Sequence, residues 1–209
     1  LHSVAGEGSP LIGVLALQGG FEAHERMLQG LGAVTREVRV PGDLDGLDGL
    51  VIPGGESTTM TLGVEREGLA EPLRALASQG GAGGIPILGS CAGLIMLDRE
   101  HLDLMDMRAS RNAFGRQIRS FEAEVAVKGI QGPPIRGIFI RAPWIAEHGP
   151  GVEILGVLEG HPVAARQGRM LAVSFHAELG ADARLHRLFL EWVAQASPTL
   201  AERAGEGSR

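Results

Sequence analysis

The chain has 209 residues, 44% of them hydrophobic, with 19 basic against 25 acidic side chains for a formal charge of −6. That length supports one domain with a substantial core, and the acidic balance argues against a nucleic-acid binder, which should carry a basic face. One cysteine leaves no internal disulfide and fits a reducing cytoplasm, and no apolar run reaches the ~18 residues that span a bilayer.

Residues 1–10 lack the basic-then-apolar pattern of a secretory signal. They are expected to be a disordered leader or a cloning remnant, followed by a single domain over 11–196 and a flexible tail over 197–209. Residues 11–17 form a continuous apolar run, as in a fully buried strand. Gln18-Gly19-Gly20 turns the chain, and 21–31 reads as a helix with Phe21, Met27, Leu28 and Leu31 on one face. Residues 34–40 alternate as a strand near a sheet edge, 41–48 is a turn-rich loop, and 49–52 is a short apolar strand. This β-α-β-β order with buried strands predicts an α/β fold with a largely parallel sheet.

Ser57 or Thr58 is placed to cap a helix running to about Gly63, and a second helix covers 69–78. The glycine-rich run 79–84 has no GK[ST] after it and reads as a connector rather than a phosphate cradle. Residues 85–88 read as a buried strand, 94–97 as the start of a helix, and 98–106 as irregular. Residues 111–117 read as a loop. Strands are predicted at 121–127, 135–140, 152–158, 162–166 and 170–175, with Gly168 in a hairpin turn between the last two. An amphipathic helix over 183–194 closes the chain. The second half is therefore strand-rich and partly antiparallel.

Between the strand at 85–88 and the helix at 94–97 lies Gly89-Ser90-Cys91-Ala92-Gly93, which holds the sole cysteine. This is the G-x-S-x-G nucleophile elbow with sulfur in place of oxygen. The glycines let the backbone turn and let neighbouring elements approach, and the helix start favours a thiolate. A lone cysteine is otherwise most often a small buried hydrophobe, so the chain has to supply a base. The last predicted strand delivers His176-Ala177-Glu178. Residues i and i+2 share a face, so Glu178 can hold one ring nitrogen of His176 while the other faces a thiol. The remaining histidines, His2, His24, His101, His148, His161 and His186, fall in tails, loops or helix faces. One cysteine and dispersed histidines do not give metal-ligand spacing.

These residues carry a resemblance. The chain resembles the class I, triad-type glutamine amidotransferases, and more closely the glutaminase subunits of two-component pyridoxal 5′-phosphate synthases. The matching stretches are 16–19, Pro53-Gly54-Gly55-Glu56-Ser57-Thr58-Thr59, the elbow through Ile95, Arg111-Asn112-Ala113-Phe114-Gly115-Arg116-Gln117, Phe139-Ile140-Arg141-Ala142-Pro143, and 174–178. Two departures stand out: Ala177 stands where that family usually has proline, and the loop at 79–84 is longer than usual.

The resemblance implies a flavodoxin-like, mixed and mostly parallel sheet flanked by helices. It implies a Cys91, His176, Glu178 triad that hydrolyses L-glutamine to glutamate and ammonia through a γ-glutamyl thioester, with no cofactor. It further implies glutamine held by Gly55, Glu56, Ser57, Arg111, Ile140 and Arg141, and an oxyanion hole from Gly54, Gly55 and the Ala92 N–H. The implied partner is a synthase subunit that makes pyridoxal 5′-phosphate from ribose 5-phosphate and glyceraldehyde 3-phosphate, in an assembly of twelve chains on twelve. The chain's only lysine, Lys128, is expected at the surface, so imine chemistry on sugar carbonyls falls to the partner. Two other readings remain at this point: a triad glutaminase feeding purine, histidine or anthranilate synthesis, and an α/β protein using Cys91 as a redox sensor.

Overall fold

The computed structural model describes residues 8–78, 84–111 and 120–197. The expectations for the leader up to residue 7, for loop residues 79–83, for Asn112 to Gln117, and for the tail from residue 198 lie outside the described residues.

The continuous apolar runs become the parallel part of one sheet. The strands are β1 (Leu11–Leu15), β2 (Val34–Val38), β3 (Gly49–Ile52) and β4 (Ile87–Ser90), joined later by β11 (Met170–Val173). Strands β9 (Glu153–Leu158) and β10 (His161–Gln167) complete seven strands in the order β2-β1-β3-β4-β11-β10-β9. The first five run parallel; β10 and β9 are antiparallel. β2 is an edge strand, as its alternating pattern predicts. Gly168 sits at φ +57 in the hairpin between β10 and β11, in the left-handed region that glycine enters without steric cost.

Successive residues of each inner strand point to opposite faces, and both faces are covered. Leu50, Ile52, Ile87 and Ala172 pack with the helices α2 (Ser57–Arg66), α3 (Ala70–Ser78) and α4 (Ala92–Leu97). Ile12, Val14, Val51, Leu88, Leu171 and Val173 pack on the other face with α1 (Phe21–Gly30) and α5 (Arg184–Ala196). That two-sided burial is why these strands read as unbroken apolar runs.

Two small antiparallel pairs complete the chain: β5 (Met107–Ser110) with β8 (Trp144–His148), and β6 (Ser120–Val125) with β7 (Ile135–Ile140). β5 and β8 carry no sequence expectation. β5 has four residues, one of them exposed, and β8 has five, three of them exposed; each is stabilised by its partner 34 or more residues away rather than by a local pattern. Element ends shift by a few residues elsewhere: β1 stops at Leu15, β2 at Val38 and β11 at Val173, while α2 extends to Arg66. The α2 cap is Glu56, not Ser57 or Thr58. The Glu56 carboxylate accepts from the backbone N–H of Thr58 (3.0 Å) and of Thr59 (2.7 Å), and Ser57 is already the first helical residue.

Candidate active site

The parallel register explains how two distant segments meet. β4 and β11 are neighbours, with Ser90 opposite Val173. The residues that follow each strand therefore emerge side by side at the same end of the sheet, where ligands of open α/β sheets bind. One hydrogen bond ties the two exits together, from Cys91 N–H to the Val173 carbonyl at 2.8 Å.

Cys91 occupies φ 51, ψ −107, a backbone region that costs a non-glycine residue about 1–3 kcal/mol. The turn is thus made by the cysteine itself. The flanking glycines serve close packing: a Cβ on Gly93 would lie 2.0 Å from the Ile52 carbonyl oxygen, and one on Gly89 would lie 2.6 Å from the Gly93 oxygen. α4 follows at once, and its first N–H groups, Ala92 among them, have no partner within the helix.

Beyond β11, His176 is held by its N–H donating to the Ile138 carbonyl at 2.8 Å, an isolated bridge onto β7. Its Nδ1 lies 2.7 Å from Glu178 Oε1, the pairing expected from the i, i+2 spacing. Cys91, His176 and Glu178 are 5%, 8% and 6% exposed, so this is a buried constellation. Burial pushes the His176 imidazole down. Hydrogen bonds to Cys91 and Glu178, and their charges, outweigh that and raise it to about 10. For Glu178, burial pushes upward, but His24 and His176 prevail and the carboxyl is lowered. The site thus favours a carboxylate facing a protonated ring next to sulfur.

A cavity of about 310 Å³ opens onto this triad. Every residue that the resemblance assigned lines it: the triad, Gly54, Gly55, Glu56, Ser57, Ala92, Arg111, Ile140 and Arg141. Gly20, Ile95, Pro143 and Leu179 line it as well and were not anticipated. Gly54 is packed against the triad, since a Cβ there would fall 2.2 Å from His176 Cε1. Its carbonyl accepts the Gly20 N–H at 3.0 Å. The Gln18 side chain brackets Glu56, donating to its carbonyl (2.9 Å) and accepting its N–H (3.2 Å).

The far wall is exposed and charged. Glu56 is held at about 2 by hydrogen bonds from the Thr59 hydroxyl and from the Thr59 and Thr58 N–H groups. Arg111 donates to Thr58 Oγ1 at 3.2 Å and meets His101 Nε2 at 3.0 Å. His101 Nδ1 in turn lies 2.7 Å from buried Asp98. Arg141 follows Ile140 at φ 43. The Ile140 carbonyl is 3.8 Å from the Cys91 sulfur.

The sequence reading left His24 and His186 on helix faces without a role. The structure buries both directly behind the triad carboxylate, with His24 Nε2 3.4 Å from Glu178 Oε2. The signal was faint: two histidines on otherwise amphipathic helices, in positions that only the packing of α1 and α5 brings together.

Comparisons with known proteins place the chain in a family and a fold. The model of the SNO glutamine amidotransferase family matches residues 14–195. The pyridoxal 5′-phosphate synthase subunit PdxT of Parafrankia sp. (strain EAN1pec) is 50% identical over 88% of this chain and 94% of its own length. That of Geobacillus kaustophilus (strain HTA426) is also 50% identical, over 88% of this chain and 95% of its own. A crystal structure titled glutamine amidotransferase superposes with a TM-score of 0.81 at 42% identity, covering 88% of this chain and 98% of that one. PurLQS from Thermotoga maritima, at 16% identity and a TM-score of 0.71, shares the fold, over 88% of this chain and 99% of that one. With a cysteine elbow, a His–Glu pair just beyond the neighbouring strand and a family match from residue 14 to 195, the chain belongs to the SNO glutamine amidotransferase family.

Proposed function

We infer that Cys91, His176 and Glu178 cleave the side-chain amide of L-glutamine in the cavity they line. The chain is a glutamine amidotransferase, the glutaminase subunit of a pyridoxal 5′-phosphate synthase, and supplies ammonia for that synthesis. The observation that carries the residue assignment is the convergence of a strained cysteine and a buried His–Glu pair on one cavity.

In this mechanism the Cys91 thiolate attacks the amide carbon and the carbonyl oxygen becomes an oxyanion. The Ala92 N–H is one donor to it, and the Gly54–Gly55 turn supplies the second. Protonated His176 gives its proton to the amide nitrogen, ammonia leaves, and a γ-glutamyl thioester remains. Water then attacks the thioester carbon as His176 takes its proton; glutamate departs and the sulfur is regenerated. Glu178 stays ionised, orienting His176 and stabilising its charged form. Arg111 and Arg141 offer guanidinium groups to the α-carboxylate of glutamine. Ionised Glu56 retains acceptor capacity for the α-ammonium beyond its three capping bonds.

Building pyridoxal 5′-phosphate from phosphorylated sugars requires an amine to hold carbonyl carbons as imines. Lys128 is the chain's only lysine; it is 71% exposed and ion-paired with Glu153, a surface charge. The carbon chemistry therefore belongs to a partner synthase subunit acting on ribose 5-phosphate and glyceraldehyde 3-phosphate, and ammonia passes to it directly. We place this complex in the cytoplasm, with twelve glutaminase chains on a twelve-subunit core. Among the described residues no helix is long and apolar enough to cross a membrane.

The decisive experiment measures glutamate release from glutamine by the chain alone and with its synthase subunit, alongside alkylation of Cys91 by a glutamine-mimicking electrophile. Activity that rises on adding the partner, and alkylation blocked by free glutamine, are expected. Alkylation indifferent to glutamine would overturn the site assignment. Sedimentation of the complex tests the twelve-on-twelve stoichiometry.

A further inference from the structure

The triad accounts for one oxygen of Glu178. The other, Oε2, is buried and accepts no aligned hydrogen bond among the described residues. An uncompensated buried carboxylate oxygen is costly, so what stands next to it matters. Its neighbour is His24 of α1, 1% exposed, with Nε2 at 3.4 Å from Oε2 and 3.0 Å from Ser90 Oγ. The other ring nitrogen of His24 lies 2.9 Å from Nε2 of His186 on α5, which is fully buried. His186 Nδ1 has no partner among the described residues. Glu178 thus faces His176 on its own segment and His24 on α1; behind His24 stand His186 on α5 and Ser90 on β4.

The proton positions follow from what each arrangement would leave unpaired. Burial lowers both rings, His186 to about 3, against the opposing pull of the Glu178 charge, and so favours their neutral forms. In its neutral form His24 meets Glu178 as an N–H dipole. If His24 carried its proton on Nδ1, its Nε2 lone pair would face the carboxylate. It would then donate to His186 Nε2 and force the His186 proton onto Nδ1, a buried donor with no acceptor. Orphaned buried N–H groups are rarer than under-used acceptors. With the proton on His24 Nε2, the N–H points between Ser90 Oγ and Glu178 Oε2. His186 Nε2–H then donates to His24 Nδ1, and only an acceptor lone pair on His186 Nδ1 goes unmet.

We propose that His24 is a positioning residue for the triad: its Nε2–H, with the tautomer fixed by His186, supports the second oxygen of Glu178. That support keeps Glu178 ionised and aimed at His176. The arrangement extends the triad inward across the sheet end, from α5 through α1 to the catalytic segment. It rests on the Cys91–His176–Glu178 assignment, and its test separates the two.

The experiment uses the full chain with its synthase subunit and three variants: His24→Leu, His24→Gln and His186→Leu. His24→Leu removes the N–H at similar size. Its kcat should fall about tenfold to a hundredfold, the range for losing a hydrogen bond to a charged group, with KM for glutamine moving less than about twofold. The acid limb of kcat/KM should move to higher pH, because a carboxyl without that N–H ionises less readily. His24→Gln, which keeps an N–H near Nε2, should recover most of the loss, and His186→Leu should fall between. ¹⁵N-histidine NMR of the unmodified chain should show His24 as the Nε2–H tautomer, a readout that stands even where a variant does not fold. The Nδ1–H tautomer would overturn the proposal. So would equal losses in His24→Leu and His24→Gln with an unmoved acid limb, which mark packing alone. If Cys91→Ala abolishes turnover while His24→Leu changes neither kcat nor the acid limb, the triad stands and this inference falls.

Discussion

The two walls of the cavity are built on opposite terms. The triad wall is buried, and its polar groups are paired with one another or backed by a second layer of side chains. The wall proposed to hold glutamine is exposed, and its charges are occupied by local partners: Glu56 by the start of α2, Arg111 by Thr58 and His101. A buried charge must have its partners in place before substrate arrives, since its desolvation is not relieved by water. An exposed charge can exchange a surface partner for a ligand at little cost, because such pairs are worth ~0–1 kcal/mol. On the proposed assignment, chemistry sits where geometry is fixed, and recognition sits where partners can be exchanged.

The largest test of that contrast is Cys91→Ala. Glutamine hydrolysis should fall below about a thousandth of wild type, a loss of about 4 kcal/mol of transition-state stabilisation, with an unchanged thermal melt. Residual turnover above that level would remove Cys91 as nucleophile. Next is Glu178→Gln, which leaves a neutral amide beside His176. Its kcat should drop about a hundredfold or more while glutamine binding changes little, because Glu178 acts through His176. A change confined to KM in steady-state kinetics would place Glu178 on the recognition wall instead.

On the other wall, Arg111→Ala should raise KM about tenfold and leave kcat within about threefold. An equal fall in kcat and kcat/KM would show that Arg111 contacts the transition state and that the walls are not separate in function.

The smallest effect concerns Glu56. Its folded-state carboxyl is lowered from 4.5 to about 2 by hydrogen bonds within α2, led by Thr59. A depressed acid stabilises the fold above its unfolded value and loses that contribution as pH falls through its folded value. The melting temperature of wild type should therefore exceed that of Glu56→Gln above about pH 4.5, and the gap should close as pH falls toward about 2. A gap that stays constant across that window would show that the Glu56 charge does not stabilise α2.

Local patterns in the chain were enough to read the sheet's parallel half, the elbow and the His–Glu pair. Each is written locally: apolar runs for strands buried on both faces, a glycine-bracketed cysteine between strand and helix, and a two-residue spacing that puts two side chains on one face. The family motifs also named residues that turned out to line one cavity. Local reading placed the α2 cap one or two residues late, because serine and threonine are the usual caps and an N-terminal glutamate with the right backbone outcompeted them. β5 and β8 were invisible because such short strands take their conformation from distant partners. Tertiary structure alone decided that His24 and His186 stand behind Glu178. They lie 162 residues apart on separate helices, and only the packing of both helices on the same face of the sheet brings them together. No spacing along the chain encodes a contact made by two helices meeting across a sheet end.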